Sequence, residues 1–160
     1  LSMVSQREVD VLQEIANSGE PPQQRLRVAV ATFVERAMRN RRLAYAMIAE
    51  PCEREVDAAR LAYRYDVSQI IMRIVQAGQR CGDFRPDIEP DIAATVIVGG
   101  FMESLIGPLS PLNTDFDQVN ARGPLAVHQL AGQIAVVCCA AVAPHLGNVA
   151  PINTKTRRQQ

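Results

Sequence analysis

The most constraining feature of this sequence is the segment 90–106, which opens with a helix-start signal and is then apolar around nearly its whole circumference. Glu89 suits the N-cap position and Pro90 the first helical position, where the missing amide hydrogen of proline costs nothing. The apolar side chains that follow leave no polar face, so more than one neighbouring element must cover them. Gly99 and Gly100 in the middle of the segment allow another helix to approach closely.

Helical periodicity runs through most of the remaining chain. One amphipathic helix is predicted to start near Pro22, followed by a short helix over 43–49 that a proline ends. A long helix is predicted over 51–81, with Gly82 as a typical stop. A last helix is predicted over 124–146, and Pro144 is expected to bend or end it. The predicted inner face of the long helix consists of Val56, Ala59, Tyr63, Val67, Ile70, Ile74 and Ala77.

No segment has the alternating pattern of a strand, and no internal repeat is present in the sequence. The sequence therefore predicts an all-α domain of about six helices over residues 1–147, followed by a tail over 148–160. A loop rich in proline, asparagine and aspartate is predicted over 107–123.

Composition and charge disfavour several classes of function. The 160 residues carry a net charge of zero at pH 7, so no bulk electrostatic attraction to nucleic acid or to an anionic membrane is expected. The unbroken apolar run 134–143 is ten residues long, whereas a membrane span needs roughly 20. The four cysteines do not suit a disulfide framework, and reduced thiols buried as small apolar groups fit a cytoplasmic protein.

The last two predicted helices carry more apolar surface than a single chain of this length buries easily. A tight monomeric core remains one alternative. We expect instead a symmetric dimer, in which these two helices from each chain form a four-helix bundle. The predicted interface residues are Ala94, Val98, Gly99, Leu130, Ile134, Val137, Cys138 and Ala141.

Two stretches, "RNRRLAYAMIAEPCEREVDAARLAYRY" and "VQAGQRCGDFRPDIEPDIAATVIVGGFMESL", resemble the C-terminal regulatory domain of the TetR/AcrR repressors. The shared features are a short helix ended by Glu-Pro, a long helix ending in "AG…GDFRPD", and an acidic start to an apolar helix. The resemblance implies a homodimeric, ligand-responsive transcriptional regulator, usually a repressor, with an apolar pocket in the helices before the dimer bundle. The N-terminal helix-turn-helix of that family is missing from this sequence, so operator DNA is expected to be bound only through a part outside it.

The same resemblance implies a site for a small apolar or amphipathic effector. Apolar walls with a few polar tips are typical of such sites, although each candidate residue could equally belong to the core. Tyr63 is the best polar group, because a buried hydroxyl requires a hydrogen-bond partner. The predicted ligand-binding residues are Phe33, Tyr45, Met47, Tyr63, Ile70, Phe101, Met102 and Leu105.

The charged side chains allow two interpretations. Arg60 and Arg64 lie one turn apart on the long helix, near Glu50, Glu53 and Asp57. They either recognise an acidic effector or form a solvated or structural ion pair that ties the short helix to the long one, which we favour. Arg36 and the run 39–42 form a basic cluster, which is predicted to be a solvated face because no aromatic residues are interleaved with it.

Metal binding and catalysis are not predicted. His128 and Cys139 are eleven residues apart on one helix, about 16 Å, which is too far for a shared metal. No nucleophile, base and orienting group converge in any motif, so no cofactor and no enzymatic activity are expected. A stand-alone helical interaction module without a DNA-reading part remains the alternative function.

Overall fold

The computed structural model describes residues 2–112 and 123–144 and confirms the all-α prediction. Within these ranges the chain forms six helices and no strand. The helices are α1 (Ser2–Ala16), α2 (Pro22–Arg39), α3 (Arg41–Ile48), α4 (Arg54–Cys81), α5 (Pro90–Leu109) and α6 (Pro124–Val142). The predicted tail over 148–160 and most of the predicted loop over 107–123 lie outside the described residues.

Helix α2 lies at the centre of the bundle because one of its faces is wholly apolar. It packs most extensively against α6 and also contacts α1, α3, α4 and α5. The predicted amphipathic pattern is confirmed by the burial of the apolar side chains along this face. They are Leu26, Val30, Phe33, Val34 and Ala37. Full burial of one such large aliphatic side chain contributes about 1.5–3 kcal/mol, so this face is a main source of stability.

The connection between α4 and α5 is a tight turn closed by specific contacts. Gly82 has a φ of 86°, a left-handed conformation that favours glycine, and it ends α4 as predicted. The side-chain amide of Gln79 donates to the carbonyls of Arg85 and Ile88, at 3.2 and 2.7 Å. Glu89 and Pro90 occupy the predicted N-cap and first helical positions of α5.

Several helix boundaries differ from the sequence prediction, among them those of α3, which spans Arg41–Ile48 instead of 43–49. Helix α4 begins at Arg54, because the chain before it is extended at Glu53. Helix α5 continues past Pro108 to Leu109, since the amide of Ser110 donates to the carbonyls of residues 106 and 107 and closes the last turn. Helix α6 ends at Val142 instead of residue 146, because the residue before Pro144 is driven into an extended conformation.

The first turns of α4 extend beyond the core. Val67, Ile70 and Ile74 are buried as predicted, but Ala59 is exposed, so the predicted inner face is wrong at its N-terminal end. This part of α4 donates hydrogen bonds to the backbone of α3, through Arg60 and Arg64. The start of α4 is therefore open to solvent on most of its circumference.

The thiols only partly follow the sequence prediction. All four cysteines are free, and Cys138 is buried in α6 as expected. Burial raises the pKa of the Cys138 thiol to about 11. Cys52 and Cys81 are exposed, because Cys52 precedes α4 and Cys81 is its last residue. Their predicted burial as small apolar groups is therefore wrong.

Candidate functional site

Two neighbouring cavities lie where α1 and α3 pack beside α4. The larger, which we call the outer groove, is half open and has a volume of about 220 Å³. The smaller, which we call the inner cavity, has a volume of about 30 Å³. The outer groove is lined by Ser5, Gln6, Val9, Met47, Ala59, Arg60, Ala62, Tyr63 and Asp66. The inner cavity is lined by Glu8, Phe33, Arg36, Ala37, Asn40, Leu43, Ala44, Met47, Ile48 and Tyr63.

Met47 and Tyr63 line both cavities and so form the partition between them. Both side chains are buried, with 5% and 6% of their surface exposed. Methionine is the most adaptable of the large apolar side chains, because it is unbranched and has several rotatable bonds. A change of the Met47 rotamer would therefore be a low-cost way to join the two cavities.

Tyr63 is the predicted polar group of the site, and its surroundings are unusual. Burial and the charge of Glu8 raise its pKa, so its phenol stays protonated. Its hydroxyl makes no hydrogen bond to any residue in the described ranges 2–112 and 123–144. In that part of the chain no side-chain nitrogen or oxygen is both sealed from solvent and unpartnered. The hydroxyl must therefore open onto the cavities that Tyr63 lines.

The charges of the inner cavity neutralise each other. The guanidinium of Arg36 donates to both carboxylate oxygens of Glu8, at 2.7 and 2.8 Å, and joins α2 to α1. This pairing raises the pKa of Arg36 further above its ordinary value. The prediction that Arg36 belongs to a solvated basic face is therefore wrong, because tertiary packing places an acid of α1 against it.

Arg60 and Arg64 tie α3 to α4 as the sequence favoured, but not through the ion pair that was predicted. Nε and Nη2 of Arg60 both donate to the carbonyl of Ala46, with the Nε at 2.8 Å, and Arg64 donates to the carbonyl of Ile48 at 3.2 Å. These carbonyls belong to the last turn of α3, where no helical amide is available for them. Their partners are thus backbone oxygens and not the acidic residues nearby in the sequence.

The predicted ligand-binding residues fall into two groups. Phe33, Met47 and Tyr63 line the cavities, and the Phe33 ring lies against Phe101 with a centroid distance of 4.8 Å. The other five line neither cavity: Tyr45 is half-buried, and the remaining four are at most 1% exposed in the core. They are Tyr45, Ile70, Phe101, Met102 and Leu105.

Sequence reasoning missed the contribution of α1. Ser5, Gln6, Glu8 and Val9 line the cavities, yet nothing in their local pattern distinguishes them from other residues of an amphipathic helix. Only the charge complementarity of Glu8 and Arg36, 28 residues apart, was available as a signal. Many other acid and base pairs in the sequence would have matched equally well.

Helices α5 and α6 each leave a continuous stripe uncovered within the chain, and we call the two stripes together the open face. On α5 it consists of Ile92, Thr95, Val96, Gly99, Gly100, Glu103 and Ser104. On α6 it consists of Leu125, His128, Gln129, Gly132, Gln133, Val136, Val137, Ala140 and Ala141. Both stripes follow the three- and four-residue spacing of one helix face. Val96, Val136 and Val137 are more than 60% exposed, which is unusual for such residues in a bundle.

The glycines of the open face have no packing role among residues 2–112 and 123–144. A Cβ added at Gly99, Gly100 or Gly132 would meet no other atom within 4 Å. Glycine in a helix interior costs roughly 0.5–1 kcal/mol relative to alanine. The small size of these three residues therefore does not serve any contact within the described part of the chain.

The predicted dimer residues are distributed between the open face and the core. Gly99, Val137 and Ala141 are exposed, and Leu130 and Ile134 are half-buried. The other three, Ala94, Val98 and Cys138, are packed inside the chain and are 1%, 3% and 6% exposed. Because these helices are apolar on nearly every side, the sequence does not show which side packs into the core. The predicted interface therefore contains both exposed and buried residues.

Apart from the two cavities, the described residues contain few polar clusters. His128 Nδ1 lies 2.8 Å from Glu35 Oε1 at the surface. Within 2–112 and 123–144, no group of three histidine, cysteine or acidic side chains could hold a metal ion. Helices α5 and α6 are long and apolar enough to cross a membrane by length and composition, a test that core helices of soluble proteins also pass.

Comparison with known proteins agrees with this architecture. A family model described as "Tetracyclin repressor-like, C-terminal domain" matches residues 19–104, which is more than half of the chain. No curated protein and no solved structure matches the chain. The match covers α2 to α4 and most of α5, which include the α3 and α4 walls of both cavities. The chain therefore belongs to the tetracycline repressor-like (TetR) family, as a C-terminal regulatory domain.

Proposed function

We propose that this chain is the effector-binding and dimerisation domain of a TetR-type transcriptional repressor that ligand binding releases from its operator. Two copies associate through the open face, and a small apolar or amphipathic molecule binds at the cavities beside Tyr63. Operator DNA is read by a part of the regulator outside this chain. The chain itself carries no catalytic role and acts in the cytoplasm.

The observation that carries this proposal is the open face on α5 and α6. Only 22% of the most apolar stretch of α6 is buried within the chain, against 50% for α5. A symmetric dimer would cover both stripes with the same stripes of a second copy, as in a four-helix bundle. The three glycines then acquire the close helix approach that they lack within the chain.

The proposed effector site rests on the position of the cavities among the four helices α1 to α4. An effector that fits one arrangement of α1, α3 and α4 better than another shifts the equilibrium between them, and it does so only by its differential affinity. Couplings of this kind are typically about 1–3 kcal/mol. In a dimeric regulator the two DNA readers must match half-sites about 34–36 Å apart, so a small helix shift releases both.

The dimer is tested by Gly100→Leu, followed by sedimentation velocity of the purified chain. The side chain would project into the open face, where its own chain leaves space, so the fold is retained while the dimer dissociation constant rises about tenfold or more. Ala58→Leu is the matched control, because it adds the same bulk to an exposed position of α4. A wild-type chain that sediments as a monomer at high micromolar concentration would contradict the proposal.

The effector arm is tested with the complete regulator. Native mass spectrometry of the purified dimer reports any co-purified small molecule, and that molecule is then titrated into an operator-binding assay. We expect operator affinity to fall as the molecule saturates the dimer. If operator affinity stays unchanged when a molecule shown to bind saturates the dimer, the proposal that ligand releases the regulator from DNA is wrong. The proposed dimer would not be affected by that result.

A further inference from the structure

We propose that the molecule held at Tyr63 is uncharged, about the size of one ring, and carries a single hydrogen-bonding oxygen, as a phenol, a cyclic alcohol or a cyclic ketone does. This inference rests on the proposed effector function and specifies the class of ligand. It follows from three properties of the cavities: their size, the state of their charges, and the hydroxyl of the buried residue Tyr63, which opens onto them and bonds to no other described residue.

The size of the site admits one ring. The outer groove has about 220 Å³ and is walled by Val9, Met47, Ala59 and Ala62, and the inner cavity adds about 30 Å³ beside Phe33. An apolar cavity of about 150 Å³ holds a benzene molecule. A single ring with one or two small substituents therefore fills the groove, whereas the further rings of a fused polycyclic molecule would extend into solvent on its open side.

The charges at the site already have partners, and this disfavours a charged ligand. Glu8 and Arg36 hold each other through two hydrogen bonds. Arg60 is committed to the carbonyl of Ala46, and Asp66 is exposed at the groove, where water solvates it. A carboxylate would lose its own hydration and would have to disrupt one of these pairings, because burying a charge without a partner is costly. An ammonium group could pair with Asp66, but that carboxylate is exposed, and an exposed ion pair contributes too little to offset the lost hydration.

The hydroxyl of Tyr63 supplies the specific polar contact. Only 6% of the surface of Tyr63 is exposed, and its hydroxyl makes no hydrogen bond to residues 2–112 and 123–144. A neutral phenol both donates and accepts hydrogen bonds, so it suits an alcohol, a phenol or a carbonyl oxygen. The other uncharged polar side chains at the cavities are less buried: Ser5 is half-buried and already has a partner, and Gln6 and Asn40 are exposed to water. One oxygen on the ligand thus matches one available group on the protein.

The test uses the 160-residue chain labelled with ¹³C at its methionine methyl groups, of which Met47 is assigned by substitution. Four probes share one ring and differ in polarity: toluene, p-cresol, 4-methylbenzoate and 4-methylbenzylammonium. The shift of the Met47 methyl signal gives each dissociation constant. We expect p-cresol to bind about 2- to 12-fold more tightly than toluene, the range for one neutral hydrogen bond, and both ions to bind more weakly than toluene.

Tyr63→Phe removes the hydroxyl and keeps the ring, so it should abolish the advantage of p-cresol and leave toluene binding unchanged. Tyr65→Phe, an exposed tyrosine on the same helix, is the matched control and should keep the advantage. If either ion binds more tightly than toluene, or if p-cresol keeps its advantage in Tyr63→Phe, the proposed ligand class is wrong. The effector site itself would still be supported, because a probe binds there. If no probe shifts the Met47 methyl, both the ligand class and the effector site of the proposed function fail.

Discussion

At the scale of single residues, the contact between Gly78 and Phe84 shows how one missing side chain shapes the domain. The amide of Phe84 donates to the carbonyl of Gly78 at 3.0 Å, and the Phe84 ring is 2% exposed. A Cβ on Gly78 would lie only 1.9 Å from Phe84 Cδ2. The glycine is therefore required by packing, because its own φ is not in the left-handed region. This contact sets the direction in which the chain leaves α4 and enters α5.

Gly78→Ala should destabilise the domain, since the Phe84 ring must leave its position to admit the methyl group. Overpacking of this kind costs about 1–3 kcal/mol. Urea unfolding followed by circular dichroism measures the loss. In a double-mutant cycle with Phe84→Leu, the cost of the alanine should shrink, because the smaller side chain leaves room for it. Additive losses from the two changes would show that this contact is not the cause.

At the scale of elements, α3 is a helix of eight residues whose position depends on its neighbours. Isolated helices of this length are unstable in water. Its last carbonyls receive hydrogen bonds from Arg60 and Arg64 of α4, and its N-terminal residue Arg41 donates to the carbonyl of Pro108 at 3.0 Å. Since Met47 of α3 divides the two cavities, these bonds also position the wall of the candidate site.

Arg60→Met should loosen α3 and leave the core of the domain intact. A hydrogen bond from a charged group contributes about 1.5–3 kcal/mol when it is well shielded, and partial exposure of Arg60 reduces this to about 1 kcal/mol. Hydrogen exchange should show faster exchange of the α3 amides than in the wild type. Arg54→Met, at an exposed position of the same helix, is the control. Unchanged protection of α3 would contradict the assigned role of Arg60.

At the scale of the whole molecule, the domain has a closed side and an open side. Helices α1 to α4 enclose the cavities beside Tyr63, whereas α5 and α6 carry the open face. Helix α2 contacts both groups, since it packs on α6 and on α1. A disturbance of α1 or α3 therefore has a short, continuously packed route to the proposed dimer contact, which is what coupling between two sites requires.

If two chains associate as proposed, the thermal midpoint must rise with protein concentration, because association stabilises the folded state by mass action. We expect a clear increase of the midpoint over a hundredfold range of concentration for the wild type and for Ala58→Leu. The Gly100→Leu chain should show little change. Equal midpoints for the wild type at both ends of the range would contradict an assembly that contributes to stability.

The success of the sequence prediction differed between elements for a physical reason. Helix α2 alternates apolar and polar faces, so its buried face was predicted correctly down to Phe33 and Ala37. Helices α5 and α6 are apolar almost all round, so periodicity did not separate the core side at Val98 from the exposed side at Gly99. Tyr63 was identified because a large amphipathic side chain stood on an otherwise apolar helix face.

The amino-acid sequence by itself determined the all-α class and the order of the helices, because apolar periodicity, prolines and glycines act over a few residues. The family was indicated by the resemblance of two stretches of the sequence to the TetR/AcrR regulatory domain. Only the tertiary structure decided that Glu8 meets Arg36, that Arg60 binds a backbone carbonyl, and that α1 forms a wall of the cavities. The two hydrogen bonds join residues 28 and 14 positions apart, and all of these contacts are between different helices. Their geometry depends on how whole helices pack, which no local pattern encodes.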